Sequence, residues 1–95
     1  MTYGTMNVNQ KSLTSAQIRA ARSLIKWTAE DLARASRVSL RTIRRAELAD
    51  QATSMTTANE LAVRSALESA GVEFIDENGG GPGLRLRKRP RSEMT

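Results

Sequence analysis

The sequence predicts a small, mainly α-helical protein with a β-hairpin at its C-terminal end. Between about residues 14 and 71, apolar residues recur at helical spacing in four segments. A serine or threonine stands at the start of each segment, where helix N-caps are favoured. After Gly71 the apolar residues alternate, in VEFID and again in LRLRK, around the glycine-rich ENGGGPG. We therefore expect four to five helices followed by a two-stranded hairpin.

The first two helices have recognisable starts. The first is expected to begin after Thr14 or Ser15, and its apolar stripe comprises Ile18, Ala21, Leu24 and Ile25. Thr28 is the expected N-cap of the second helix. Its first turn then contains Glu30 and Asp31, where the helix dipole favours negative charge. Trp27 directly precedes this cap, and burial in the core is a more common role for tryptophan than stacking on a base.

The third helix is expected to begin at the N-cap Ser39 and to end near Leu48. Ile43 and Ala46 lie three residues apart and share its inner face. The side chains turned away from that face are Arg41, Arg44 and Arg45. Two short helices packed through small residues, with a cationic outer face on the second, suit insertion into a DNA major groove.

The fourth helix and the hairpin complete the expected fold. Thr57 and Glu60 form a T-x-x-E capping box at the start of the helix, and Gly71 is its expected C-cap. The alternating residues on one face of the hairpin are Val72, Phe74, Leu84 and Leu86. A lone two-stranded hairpin is marginal in water, so this face needs a cover. The face could be covered by a second copy of the chain or by the chain's own domain. Alternatively, the hairpin could act as a basic wing that contacts DNA through Arg85 and Arg87.

Composition excludes several function classes. The chain has 95 residues, no cysteine and no histidine, which removes disulfides, the usual zinc ligands and His- or Cys-based catalysis. No constellation of catalytic residues is visible, so we expect neither an enzyme nor a cofactor. There is no apolar run long enough to span a bilayer and no apolar signal core at the N-terminus. We therefore expect a cytoplasmic protein without membrane contact.

Positive charge is concentrated in two clusters. The net charge is +5. Five arginines and no acid occur from Arg34 to Arg45, and the second cluster is LRLRKRPR. Such clusters in a short chain indicate a polyanionic partner, most often nucleic acid. RNA is the weaker expectation, because only three aromatic residues are present to stack on unpaired bases.

This pattern resembles the Cro/CI-type (XRE-like) helix-turn-helix family of bacterial and phage transcriptional regulators. The resemblance covers about residues 18–67, and its motif residues are Arg22, Trp27, Thr28, Leu32, Ala33, Val38, Ser39, Thr42, Ile43 and Glu47. Together with the polar composition of the N-terminus and the alternation after Gly71, it gives four expected regions: a disordered N-terminal tail (1–13), a helix-turn-helix DNA-binding domain (14–71), the hairpin as a candidate dimerisation element (72–88) and a basic flexible tail (89–95).

The resemblance also implies roles for individual residues. Base edges would be contacted by Leu40, Arg41, Arg44 and Arg45. Phosphates would be contacted by Thr28, Arg37, Ser39, Thr42, Gln51 and Thr53. Arg22 and Glu47 would form a partly buried structural ion pair. The expected dimer interface comes instead from the hairpin's need for a cover, and it comprises Val72, Phe74, Leu84 and Leu86.

The chain departs from the family pattern at two positions. Ala29 stands where the family has a glutamine that contacts a phosphate and can brace a base-contacting side chain. Arg37 stands where the family favours a glycine at the turn, and a positive φ there is costly for arginine. The turn is therefore either built differently, or Arg37 accepts the strain while it contacts a phosphate.

The function expected from these observations is sequence-specific binding of double-stranded DNA by a transcriptional regulator. A homodimer would place the helix at 39–48 of each copy in the major groove of a palindromic operator, since one such helix contacts only a few base pairs. Repression, with the protein's own promoter as one target, is the expected output. The alternatives are an antitoxin-like protein-interaction module with a protein partner, and an architectural or recombination factor that bends DNA.

Overall fold

A hydroxyl side chain stands at the start of every helix that the structure describes. The computed structural model describes residues 13–49, 55–75 and 83–87. These residues form the helices α1 (Ser15–Ile25), α2 (Ala29–Ser36), α3 (Leu40–Leu48) and α4 (Thr57–Ser69), followed by the strands β1 (Val72–Ile75) and β2 (Gly83–Leu86). The two strands pair in antiparallel orientation. The expectation of a mainly helical chain with a hairpin is confirmed over this part of the chain.

The N-caps of three helices agree with those predicted, and the fourth is displaced by one residue. The side chains of Thr14, Thr28 and Ser39 each accept a hydrogen bond from the backbone N–H three residues further on. The predicted cap Thr57 is wrong, because Thr56 caps α4 through the N–H of Asn59 at 3.1 Å. Either neighbouring threonine satisfies the sequence preference for a cap, so the sequence does not separate them.

The core lies where all the helices and the first strand meet. Its buried apolar residues are Leu13, Ile18, Ala21, Leu32, Val38, Ile43, Ala46, Val63, Leu67 and Val72. Leu13 corrects the predicted boundary of the N-terminal tail, because it is only 1% exposed. Its backbone N–H donates to the Glu60 carboxylate. Leu13 precedes the cap of α1 and Ile18 stands at its fourth position, which is the arrangement of a hydrophobic staple.

The hairpin packs on its own domain. Val72 pairs with Leu86 and Phe74 with Leu84, so all four side chains share one face. Val72 is fully buried, and Phe74 and Leu84 pack against the core, where β1 contacts α4 and β2 contacts α1. The predicted dimer interface at these four residues stays a prediction. Within the chain, Val72 is fully buried, Phe74 and Leu84 are partly buried, and Leu86 keeps 50% of its surface exposed.

Two helices end in a left-handed residue that is not glycine. Lys26 follows α1 with φ 58° and Arg37 follows α2 with φ 63°. The turn before α3 therefore has the backbone shape that glycine favours, and Arg37 adopts it at a steric cost. The chain leaves α4 through Ala70, and Gly71, with φ 110°, then turns it into β1.

Several predicted features lie outside the described residues. They are the tail at 1–12, the phosphate-contacting candidates Gln51 and Thr53, the glycine-rich hairpin loop, and the C-terminal tail at 89–95. Among the helices that are described, none has both the length and the apolar composition that crossing a bilayer requires.

Candidate nucleic-acid interface

The outer surface of α3 is strongly cationic. Its inner residues Ile43 and Ala46 are buried, at 0% and 1% exposure. The arginines predicted to contact bases, Arg41, Arg44 and Arg45, are all exposed. Leu40, at the first helical position, is half-buried. The helix is therefore anchored through one apolar side while it presents three guanidinium groups to solvent.

The turn between α2 and α3 is closed by a buried serine. The Ser36 hydroxyl donates to the Leu32 carbonyl at 2.7 Å and accepts from the Val38 N–H at 3.2 Å. Both bonds keep buried polar groups of the turn paired while Val38 enters the core. This arrangement fixes the backbone just before the N-cap of α3.

The opposite end of α3 is held by polar side chains of α1. The last carbonyls of a helix lack partners within it. Here the Ser15 hydroxyl donates to the Ala46 carbonyl, and Arg19 donates to the Glu47 carbonyl. Ser15 is fully buried. Side chains of α1 thus provide the C-terminal cap of α3, which has no left-handed cap residue of its own.

Arg22 and Glu47 form the bidentate ion pair expected from the resemblance. Arg22 Nε lies 2.7 Å from Glu47 Oε2, and Arg22 Nη2 lies 2.8 Å from Glu47 Oε1. Arg22 Nη1 also donates to the Trp27 carbonyl at 2.9 Å. The side chains are 22% and 10% exposed. Hydrogen bonding to Glu47 raises the pKa of Arg22 above its ordinary value, although burial opposes this. The pair joins α1, the start of α2 and the end of α3.

Two carboxylates at the start of α2 are paired with arginines. Glu30 Oε2 lies 2.9 Å from Arg44 Nη2, and Asp31 Oδ1 lies 2.7 Å from Arg34 Nη2. Both acids have a lowered pKa. The main cause for Glu30 is its own backbone N–H, with Arg44 adding to it, and for Asp31 it is the N–H of Thr28. The Glu30–Arg44 contact also places the start of α2 beside the outer surface of α3.

Those of the predicted phosphate-contacting residues that the structure describes lie around the starts of α2 and α3. The Thr28 and Ser39 side chains are engaged as N-caps, and the Ser39 hydroxyl also donates to Thr42 at 2.9 Å. Arg37 is exposed at the turn between the two helices. Helix N-termini favour anions, and at α2 the N–H groups of Glu30 and Asp31 are already engaged by the Glu30 carboxylate and the Thr28 hydroxyl.

The cations of this surface differ in their partners. Over the described ranges, Arg37, Arg41 and Arg45 have neither an ion pair nor a side-chain hydrogen bond. On the hairpin, by contrast, Arg85 pairs with Glu73 at 3.1 Å and Arg87 donates to the Glu68 carbonyl at 2.8 Å. Among the described residues, the arginines with neither kind of partner therefore lie on α3 and in the turn before it, rather than on the hairpin.

Sequence reasoning missed four residues that hold α3 or lie beside it: Ser15, Arg19, Glu30 and Ser36. Ser15 and Ser36 were indistinguishable from solvated serines, since burial depends on what packs over them. Arg19 did carry a signal, because it precedes Arg22 by three residues and so projects from the same side of α1. In the part of the chain that the structure describes, no group of acidic residues is arranged to hold a metal ion.

No protein-family model matches the chain, and no curated protein matches it.

Proposed function

We propose that this protein is a sequence-specific, double-stranded-DNA-binding transcriptional regulator of the Cro/CI type that inserts α3 into the major groove. The single observation that supports this best is the division of α3 into two sides. Ile43 and Ala46 are buried, whereas all three arginines are exposed. An exposed cationic helix of this kind fits the width of the major groove, and arginine forms bidentate bonds with guanine.

The surroundings of α3 support the same proposal. The start of α2 is brought beside it by the Glu30–Arg44 contact, so Thr28 and Arg44 belong to one surface. In such an arrangement the backbone contacts set the register and the helix contacts the bases. Arg37, at the turn, adds a cation without a partner among the described residues.

A homodimer is part of the proposal, because two helices spaced by one turn of DNA supply the specificity that one lacks. Repression is the proposed output, since a protein bound across a promoter excludes polymerase. Of the four hairpin residues first expected at the interface, only Leu86 is half exposed. Contact between copies through the hairpin therefore requires Leu86 rather than Val72.

The decisive experiment is selection of bound sequences from random duplex DNA, followed by binding to single-base variants of the selected duplex. Arg41→Ala and Arg45→Ala are each expected to weaken binding by about 1–3 kcal/mol and to relax the preference at one base position. A loss of affinity that is equal on every variant and on random DNA would assign these arginines to phosphates. Failure to enrich any sequence would overturn the proposed function.

Arg37 and Lys26 offer a matched pair of glycine substitutions. Both residues have φ near +60°, so Arg37→Gly and Lys26→Gly should each raise stability by about 0.5–1 kcal/mol in thermal or urea denaturation. Only Arg37→Gly is expected to weaken DNA binding, and it should lower the dependence on salt by about one counterion. Equal DNA affinity of the two variants would show that Arg37 contacts no phosphate.

A further inference from the structure

Arg44 is distinguished from the other outward arginines of α3 by an acidic partner on another helix. Its Nη2 atom lies 2.9 Å from Glu30 Oε2, and the two side chains are 57% and 52% exposed. Arg41 and Arg45 have no such partner among the described residues. The same helix therefore presents two free cations and one that is held.

This contact does little for the fold. Exposed ion pairs contribute little to folding, because water screens them and two long side chains must be ordered. Yet Glu30 places a negative charge on the surface proposed to meet DNA. Like any exposed glutamate it is ionised at neutral pH, so it repels phosphates and opposes binding to any sequence. The helix dipole favours an acid at the start of α2, but that preference does not explain why the carboxylate reaches across to Arg44.

We propose that Glu30 is a positioning residue that acts through Arg44 and makes this arginine a base contact rather than a phosphate contact. The inference rests on the proposed function. The carboxylate accepts one of the five guanidinium N–H groups, which leaves the others for a base. Because Glu30 partly neutralises the charge of Arg44, this arginine releases fewer counterions when it binds a phosphate. A phosphate contact of Arg44 is therefore less favourable than it would be for an unpaired arginine.

Docking onto DNA strengthens this effect. Water leaves the interface, and a hydrogen bond between charged groups is stronger in the lower dielectric that remains. The guanidinium is then fixed in orientation, and fixed orientation is what bidentate recognition of guanine requires. Glu30 thus lowers the affinity for all DNA. It also raises the difference in affinity between duplexes with the preferred base and duplexes with another base at that position.

Glu30→Gln in the full chain tests this directly, because glutamine keeps the shape and loses the charge. Binding to random duplex DNA should become about two- to fivefold tighter, as expected from removing one unit charge near a phosphate in water. Preference for the base at one operator position should fall about tenfold, within the range that one bidentate arginine contact supplies. The thermal midpoint should fall only slightly, because the start of α2 loses one favourable charge.

The matched control is Asp31→Asn, which removes the same charge from the same helical turn. Asp31 pairs with Arg34 rather than with α3, and asparagine keeps an acceptor for the Thr28 N–H. This variant should also bind random DNA more tightly, but its base preference should equal that of the unmodified chain. A loss of preference in Asp31→Asn would overturn the inference, because the effect would then follow from charge alone.

A double-variant cycle completes the test. In an Arg44→Ala background, Glu30→Gln should have no further effect on base preference. A shift that persists in this background would overturn the inference, since Glu30 would then act without Arg44. Unchanged preference in the single variant, with a clear preference in the unmodified chain, would overturn the inference alone. If the unmodified chain showed no base preference at any position, both the inference and the proposed function would be overturned.

Discussion

Glu47→Ala should lower the free energy of unfolding by about 3 kcal/mol, because removing one partner of a buried pair leaves the other charge uncompensated. Arg22 loses two short hydrogen bonds and keeps only the Trp27 carbonyl. Its side chain is 22% exposed, so water compensates only part of the loss. Urea denaturation followed by circular dichroism measures the change.

Two further variants distinguish the effect of leaving a buried charge unpaired from the effect of losing a glutamate side chain. Glu73→Ala removes the acid of an exposed cross-strand pair, with side chains 64% and 42% exposed, and should change stability by less than about 1 kcal/mol. Arg22→Met combined with Glu47→Leu removes both charges and should be more stable than Glu47→Ala alone. If Glu47→Ala and Glu73→Ala had the same midpoint, the pair would have no role in holding α1 to α3.

Val72→Asp should unfold most of the protein. Val72 is fully buried in the core between β1 and the helices. An unpaired carboxylate there costs more than about 4 kcal/mol, which approaches the whole stability of a small domain. Helix content from circular dichroism should fall sharply, and Val72→Ala should give a smaller loss with the chain still folded.

The cross-strand partner of Val72 provides the control. Leu86 lies on the same hairpin face but is 50% exposed, so Leu86→Asp should leave helix content and thermal midpoint nearly unchanged. Sedimentation of the same variant shows whether copies associate through this edge of the hairpin. A folded, monomeric Val72→Asp variant of a chain that is otherwise dimeric would contradict packing of the hairpin on its own domain.

Local features of the fold were predictable from sequence because they depend on near neighbours. Thr28 and Ser39 begin helices through bonds to residues three positions away, and alternation after Gly71 was sufficient to predict strands. Leu13 was also predictable in principle. An apolar residue precedes the cap of α1, as Trp27 and Val38 precede those of α2 and α3, and each fits the staple pattern.

What covers a surface was not predictable in the same way. The alternation of Val72 and Phe74 shows that one face of the hairpin must be buried, but a second copy and the chain's own helices satisfy that need equally. The Glu30–Arg44 contact is a similar case. It joins residues fourteen positions apart on two helices, and its existence depends on how those helices pack. Only the three-dimensional arrangement distinguishes Arg44 from Arg41.

The helix α3 is attached to the domain through its inner side and its C-terminal carbonyls. Side chains on its outer face can therefore be substituted without loss of this attachment. The main-chain carbonyls of Ala46 and Glu47 accept hydrogen bonds from side chains of α1. These bonds do not depend on which side chains α3 carries on its outer face. Under the proposed function, stability and DNA preference depend on different atoms of the same nine-residue helix. Randomised libraries at positions 41 and 45, or at 30 and 44 together, should leave this attachment intact. If the protein binds DNA as proposed, point substitutions at these positions should give new target sequences, in evolution as in the laboratory, without rebuilding the core.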